Sequence, residues 1–252
     1  MRVRIAAKTD IGHQRSENQD SYRAGRQSDD TVWAAVCDGM GGAKGGKVAS
    51  TIASATLEEW FIEHIDDTRT AEDVRECMVE GIRLANSAIY ATSMDNADLS
   101  GMGTTVVCVV VRGDEMQVAH VGDSRVYLLR DGVMRLLTRD HSIVQQLLED
   151  GSITEQEAFN HPKRNIITRV LGVDDDVLVD WMRVPVREGD IALLCSDGLS
   201  TYVPDAEIEH VLNTTSFYEM PDALIEKALD AGGVDNVTVL LVKKQETEEE
   251  NG

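Results

Sequence analysis

Four short apolar segments follow one another in the middle of the chain, and they limit the possible folds more than any other feature. They cover residues 104–111, 117–121, 126–130 and 134–137. The turns Gly113-Asp114 and Asp131-Gly132 lie between neighbouring segments, and such dipeptides are typical of β-hairpins. Because tight hairpin turns join antiparallel strands, this region predicts an antiparallel meander and excludes a doubly wound parallel sheet.

Apolar residues at helical spacing appear before this meander. Residues 47–65 and 72–93 carry them three or four positions apart, and Thr70 to Asp73 form a capping signal before the second segment. The chain is therefore predicted to be α+β, with amphipathic helices covering antiparallel sheets. No repeat or linker divides it. We expect one domain over residues 1–244 and a disordered acidic tail over 245–252.

Composition narrows the function classes. The chain has 252 residues, 42% of them hydrophobic, and a formal net charge of −21. Such acidity argues against binding to nucleic acid or to an anionic membrane, which requires clustered lysine and arginine. The apolar runs are too short to span a bilayer, and the first residues lack a signal-peptide core. We therefore expect a cytoplasmic protein, and we expect a monomer because no exposed apolar stripe is evident in the sequence.

Four aspartates recur in one local pattern, within two positions of a glycine at one end of an apolar strand. They are Asp38, Asp123, Asp197 and Asp235. A single Asp-Gly pair would be read as an ordinary turn. Four carboxylates at strand ends can instead converge, and oxygen ligands without histidine or cysteine suit Mg²⁺ or Mn²⁺. The pattern predicts a hard-metal site, with Asn236 beside Asp235 supporting it.

Two polar loops have alternative interpretations. Residues 9–20 form either a solvated loop or one that brings Arg15 to a phosphate and Asp20 to metal-bound water. Residues 161–165 place a histidine, a lysine and an arginine together in an acidic chain. This basic tip either guides an anionic substrate or contributes only to solubility.

Six motifs in order resemble the metal-dependent protein serine/threonine phosphatases, the type 2C family, and most of all its compact bacterial members. The resemblance runs from about Lys8 to Val242. The motifs are Thr9-Asp10-x-Gly12-x-x-Arg15-x-x-Asn18-Gln19-Asp20, Asp38-Gly39-Met40-Gly41-Gly42, Gly103-Thr104-Thr105, Gly122-Asp123-Ser124-Arg125, Ser196-Asp197-Gly198-Leu199 and Gly233-Val234-Asp235-Asn236. The resemblance implies a central β-sandwich flanked by helices in four layers, αββα, with a helical flap at about 143–168.

The resemblance also assigns roles to individual residues. Asp38 is expected to bridge two cations, Mn²⁺ or Mg²⁺, and the Gly39 carbonyl to bind the second. Asp197 and Asp235 complete the first cation's ligands. Asp123 joins Asp197 at a weaker third position. The resemblance also implies that Arg15 binds the substrate phosphate and that Asp20 supports the metal-bound waters.

The implied reaction is hydrolysis of phosphoserine and phosphothreonine in proteins. A metal-bridging hydroxide attacks phosphorus in line, without a phosphoenzyme. The expected partners are phosphoproteins, among them a cognate bacterial serine/threonine kinase and its substrates. Met40 stands where many eukaryotic relatives have a histidine proposed as general acid, so another group must supply the proton. A water on the cation at Asp123 is one hypothesis, and His13, His120 and His161 are others.

Two other functions share these residues. A two-metal phosphodiesterase or nuclease would use the same ions, but a charge of −21 provides no basic groove for a polyanion. A catalytically silent phosphoprotein sensor would keep the fold without the chemistry. The presence of Asp38, Asp197, Asp235 and Arg15 together argues against that alternative.

Overall fold

The structure is a computed structural model that describes residues 3–159 and 161–245. Its strands are β1 Val3–Asp10, β2 Asp20–Arg26, β3 Thr31–Met40, β4 Gly103–Thr104, β5 Val106–Arg112, β6 Glu115–Val121, β7 Arg125–Arg130, β8 Val133–Leu136, β9 Asp180–Pro185, β10 Ile191–Cys195 and β11 Val237–Lys244. Its α-helices are α1 Gly42–His64, α2 Ala71–Asp95, α3 Ile143–Glu149, α4 Glu155–Phe159, α5 Asp197–Ser200, α6 Asp205–Thr214 and α7 Met220–Asp230. A short 3₁₀ turn covers Ala97–Leu99.

The strands form two antiparallel sheets. One has the order β1-β11-β10-β7-β8 and the other β2-β3-β5-β6-β9, with β4 paired to the end of β3. The two predicted hairpin turns are confirmed, since Arg112 pairs with Glu115 and Arg130 with Val133 across two-residue loops. Asp131 and Gly132 both have positive φ, as a primed turn requires.

Three apolar clusters hold the layers together. Helices α1 and α2 pack on the six-stranded sheet through a cluster that includes Phe61, Met78 and Trp33. Helices α6 and α7 pack on the five-stranded sheet through a second cluster. The third lies between the sheets and contains Val109 and Leu194. The predicted α+β class with two antiparallel sheets and flanking helices is therefore confirmed.

Some predicted element boundaries were wrong. Helix α1 begins at Gly42, before the predicted start at 47, because the glycine-rich segment continues directly into the helix. The predicted strand 104–111 is interrupted at Thr105, and the strand predicted at 177–186 covers only Asp180–Pro185. Strand β2 was not predicted, because polar and apolar residues alternate only weakly along it and it carries two arginines. The predicted Thr70 capping box at the start of α2 is confirmed.

The segment between β8 and β9 contains the predicted helical insertion. Helices α3 and α4 lie in it, and a bridge between Ser142 and Ile167 closes its two ends on each other. We call residues 143–168 the flap. The predicted acidic tail lies outside the described residues, apart from Gln245. Within residues 3–159 and 161–245, no helix combines the length and the apolar character needed to cross a membrane.

Burial of His120 on β6 makes the stability depend on pH. Desolvation and the neighbouring His141 lower the pKa of His120 to about 4, against an ordinary value near 6.5. The unfolded chain thus binds this proton at higher pH than the folded chain, so the free energy of unfolding falls as pH drops from about 6.5 toward 4. From pH 7 to pH 5 this group should cost about 2 kcal/mol.

We expect His120→Leu to remove that part of the pH dependence. The difference in unfolding free energy between variant and wild type, measured by urea denaturation of metal-free protein, should shift by about 2 kcal/mol in favour of the variant between pH 7 and pH 5. The exposed His210→Gln serves as control and should show no such shift. A difference that stays constant across this range would contradict the prediction.

Candidate active site

Carboxylates from both sheets meet at one end of the sandwich. Asp20 begins β2 and pairs in register with Asp38 near the end of β3. Asp123 follows β6, and Asp197 opens helix α5 just after β10. Asp235 lies two residues before β11. Each pair among these groups is far apart in sequence, apart from Asp20 and Asp38, so only the packing of the two sheets brings them together.

The electrostatics of the carboxylates show how close they are. Desolvation, followed by the charges of Asp20, Asp197 and Asp123, raises the pKa of Asp38 well above its ordinary range. The Asp38 and Asp197 side chains also lie within hydrogen-bonding reach of each other. Desolvation and then Asp235 raise the pKa of Asp197 to about 6. Such crowding of like charges favours binding of cations.

Three oxygens of this cluster are buried without a hydrogen-bond partner among the described residues. They are Oδ1 of Asp20, Oδ1 of Asp123 and Oδ1 of Asp197. An unpaired buried carboxylate oxygen costs free energy, which a bound cation would offset. The donor set contains oxygen alone, which suits a hard divalent cation. The residues present therefore fit Mn²⁺ or Mg²⁺.

Asp20 is fixed from the side opposite its unpaired oxygen. Its Oδ2 accepts hydrogen bonds from the hydroxyls of Ser196 and Thr238, each at 2.7 Å. Desolvation raises the pKa of Asp20 to about 7, although these two hydroxyls act in the opposite direction. Ser196, which follows β10, and Thr238 on β11 thus hold Asp20, and its Oδ1 has no hydrogen-bond partner among the described residues.

The glycines after Asp38 allow the start of α1 to approach the site. A Cβ atom on Gly46 would lie 2.6 Å from the Gly39 carbonyl oxygen, and one on Gly39 would lie 2.1 Å from the Gly46 carbonyl oxygen. Any side chain would separate the helix from the strand at this point. The chain at Asp38 is also fixed on its other side, because Thr105 N–H and the Thr104 hydroxyl donate to the Asp38 carbonyl, both at 2.8 Å.

The loop of residues 9–20 lies beside the carboxylates. Arg15 Nη2 donates to Asp235 Oδ2 at 2.7 Å. This hydrogen bond, together with the charges of Asp235, Asp197 and Asp38, raises the pKa of Arg15. Asn236, which is buried, holds the loop. Its Oδ1 accepts from Gln19 N–H at 2.8 Å, and its Nδ2 donates to the carbonyls of Ile11 and Glu17.

A cleft of about 570 Å³ opens between the flap and the carboxylates. Its lining includes Asp123, Asp197 and Arg164. The Arg164 guanidinium lies 5.5 Å from the centroid of the Tyr202 ring. This contact places one cation of the predicted basic tip near the site. The sequence analysis missed Tyr202, since a lone tyrosine after a short helix carries no distinguishing pattern.

Met40 and the three histidines considered as general acid occupy different places. Met40 is 39% exposed and has no acidic proton. His120 is buried and stacks on His141 with ring centroids 4.8 Å apart, so it does not face the substrate. His13 packs beside Gly233 in the loop next to Asp235, and its backbone N–H donates to the Gly233 carbonyl at 2.7 Å. His161 lies on the flap.

Comparisons with known proteins agree with this geometry. The family model described as Protein phosphatase 2C matches residues 11–232. The serine/threonine phosphatase stp of Listeria innocua is 42% identical over 238 residues, which make up 94% of each chain. A high identity over nearly the full length of both chains indicates a common fold and a common family.

Solved structures show the same relationship. The serine/threonine phosphatase Stp1 of Staphylococcus aureus superposes with a TM-score of 0.91 at 35% identity, covering 98% of this chain and 96% of that one. The catalytic domain of the phosphatase PstP, in complex with two manganese ions, gives a TM-score of 0.85 at 38% identity, covering 97% and 99%. The chain belongs to the protein phosphatase 2C family and is a protein serine/threonine phosphatase.

Proposed function

We propose that the convergent carboxylates hold the catalytic cations and that the enzyme hydrolyses phosphoserine and phosphothreonine by direct attack of water on phosphorus. The proposal rests above all on the buried unpaired oxygens of Asp20, Asp123 and Asp197 at one end of the sandwich. Asp38 would bind both of two cations. Asp197 and Asp235 would complete the binding of the first, and the Gly39 carbonyl would bind the second. Asp123 and Asp197 would hold a third, more weakly.

The cations, when bound, would supply hydroxide near neutral pH and neutralise charge on the phosphoryl oxygens. The chain's own residues orient the reaction. Ser196 and Thr238 fix Asp20 and leave its Oδ1 unpaired, so Oδ1 would accept a hydrogen bond from a water on a bound cation. No side chain is required as a nucleophile, so no phosphoenzyme forms.

Arg15 is proposed to bind the substrate phosphate. Its side chain is 53% exposed, and within the described part of the chain its ion pair is with Asp235. A carboxylate that binds a cation attracts an arginine less strongly, so Arg15 becomes available to a phosphate dianion. A guanidinium can donate two parallel hydrogen bonds to phosphate oxygens and stabilise the charge that grows on them in the transition state. Asn236 contributes indirectly, because it fixes the loop that carries Arg15.

The substrates we propose are phosphoproteins, among them a cognate serine/threonine kinase and the proteins that it phosphorylates. The relatives named above act as serine/threonine phosphatases, which supports this substrate class. The cytoplasmic location and the monomeric state predicted from the sequence remain predictions. A net charge of −21 still argues against a nucleic-acid diester as substrate.

Metal binding should stabilise the fold. At a Mn²⁺ concentration a hundred times the dissociation constant, the free energy of unfolding should rise by about 2.7 kcal/mol. Asp38→Asn should remove most of this gain. In metal-free protein the same variant should be more stable than wild type by about 1 kcal/mol, because it removes one of the crowded charges. Thermal and urea denaturation with and without chelator measure both effects. An equal Mn²⁺ response in wild type and variant would contradict the assignment of Asp38.

Catalysis should require metal and Asp38 together. Chelator-treated protein should regain hydrolysis of p-nitrophenyl phosphate and of a phosphothreonine peptide when Mn²⁺ or Mg²⁺ is added. Asp38→Asn should lower kcat/KM by more than about 100-fold. The control Asp222→Asn changes an exposed carboxylate paired with Lys8 and should be without effect. Hydrolysis of bis-p-nitrophenyl phosphate at a comparable rate would favour the diesterase alternative instead.

Arg15 should contribute to kcat/KM by binding the substrate phosphate. Arg15→Ala should lower kcat/KM for the phosphopeptide by about 100-fold, and Arg15→Lys should recover part of it, because one ammonium replaces a bidentate fork. Arg23→Ala is the matched control, since Arg23 pairs with Glu58 at 3.0 Å on the surface. Steady-state kinetics at saturating Mn²⁺ provide the comparison. Equal losses in the Arg15 and Arg23 variants would overturn the assignment.

A further inference from the structure

A second polar cluster lies at the base of the flap, apart from the carboxylate site. It consists of His120, His141 and Asp180, whose ligand atoms lie within 4.8 Å of one another, together with Arg169. His141 comes two residues before the flap and Arg169 directly after it. The cluster resembles a transition-metal site by composition, but its hydrogen bonds point to another role.

The hydrogen bonds of His141 determine its tautomer. Gly122 N–H donates to His141 Nδ1 at 3.0 Å, so Nδ1 must carry a lone pair. Burial lowers the pKa of His141, which keeps the ring neutral and puts its proton on Nε2. That nitrogen lies 3.3 Å from Asp180 Oδ2 and 3.0 Å from Arg169 Nη1. A neutral imidazole has only one acceptor nitrogen, which Gly122 N–H occupies, so Arg169 does not donate to Nε2. Its two Nη1 protons go to Asp180 Oδ1 at 2.6 Å and to the Leu178 carbonyl at 3.1 Å. A nitrogen that carries a proton cannot ligate a metal, so this tautomer excludes a cation on Nε2.

His141 satisfies both backbone groups of Gly122. Its backbone N–H donates to the Gly122 carbonyl at 3.0 Å, while its ring accepts from the Gly122 N–H. Gly122 has a φ of +110°, and a Cβ atom there would lie 2.6 Å from Thr105 Cγ2. The turn therefore has a backbone conformation that favours glycine and packs tightly against Thr105, and the two hydrogen bonds of His141 hold it in place.

This turn leads directly into the carboxylate site. The residues after Gly122 are Asp123, one of the proposed ligands, and Ser124. Ser124 Oγ lies 2.7 Å from Thr105 Oγ1, and Thr105 Oγ1 in turn accepts from Asp38 N–H at 3.1 Å. A shift of the turn would thus reach the backbone of Asp38 as well as the side chain of Asp123.

The same histidine is attached to the flap. The His141 carbonyl accepts from Thr168 N–H at 2.7 Å, and Ile143 N–H donates to the Ile166 carbonyl at 3.0 Å. We propose that His141 is a positioning residue, oriented by Asp180 and Arg169, which connects the base of the flap to the Gly122–Asp123 turn and so sets the affinity of the site for its cations. This inference rests on the proposed role of Asp123 as a ligand.

Two amide substitutions separate the functions of the two ring nitrogens. Asn in place of His141 keeps an acceptor near the position of Nδ1, whereas Gln places its amide near Nε2 and leaves Gly122 N–H without a partner. In metal-free His141→Gln, the Gly122 amide should exchange with solvent at least about tenfold faster than in wild type. The half-saturating Mn²⁺ concentration should rise by about tenfold or more. His141→Asn and the surface control His210→Gln should stay within about threefold of wild type.

The readouts distinguish failure of this inference from failure of the proposed function. Ring ¹⁵N spectra and Gly122 exchange are recorded without metal and should show the Nε2–H tautomer in wild type. A Nδ1–H tautomer, equal exchange in the Gln and Asn variants, or an unchanged half-saturating Mn²⁺ concentration in His141→Gln would each overturn the positioning role. If Mn²⁺ neither bound to wild type nor supported hydrolysis by it, the proposed function would fail instead, whatever the tautomer.

Discussion

Mutual repulsion among the carboxylates at one end of the sandwich is the constraint on which the rest of the site depends. Asp38 and Asp197 lie within hydrogen-bonding reach of each other, and Asp20 and Asp123 add their charges. Without cations this arrangement is unfavourable, so the surrounding fold must impose it. The two sheets do so through their apolar contacts, which are far more extensive than the site itself.

The polar supports show how the fold imposes this arrangement. Hydrogen bonds from other elements hold Asp20 and the loop that carries Arg15. Asp20 is held by Ser196 and Thr238 from the five-stranded sheet, although it belongs to the six-stranded one. Asn236 ties the loop of Arg15 to the start of β11. These contacts cross between the sheets, so the site forms only when the sandwich closes. Its precision comes from supporting residues that never touch the substrate.

Several elements were predictable because local pattern and tertiary structure agree. The hairpins at 113–114 and 131–132 need glycine at positive φ, and the sequence provides it. The capping box at Thr70 is a local interaction as well. Strand β2 was missed because its pairing with β3 and the burial of Asp20 decide its conformation, and neither appears in a local window. The same reason explains why His141 was not singled out, since its partners lie 19 and 39 residues away.

From the sequence alone we could predict the antiparallel class, the helices that cover the sheets, and the residues able to bind a cation or a phosphate. Periodicity, turn chemistry and ordered motifs are properties of short stretches, and a chain displays them without folding. Three features could be read only from the tertiary structure: the unpaired carboxylate oxygens, the ion pair of Arg15 with Asp235, and the hydrogen bond from Gly122 to His141. Those outcomes depend on contacts between residues as far as 220 positions apart, which form when the two sheets pack and exclude water from the groups between them.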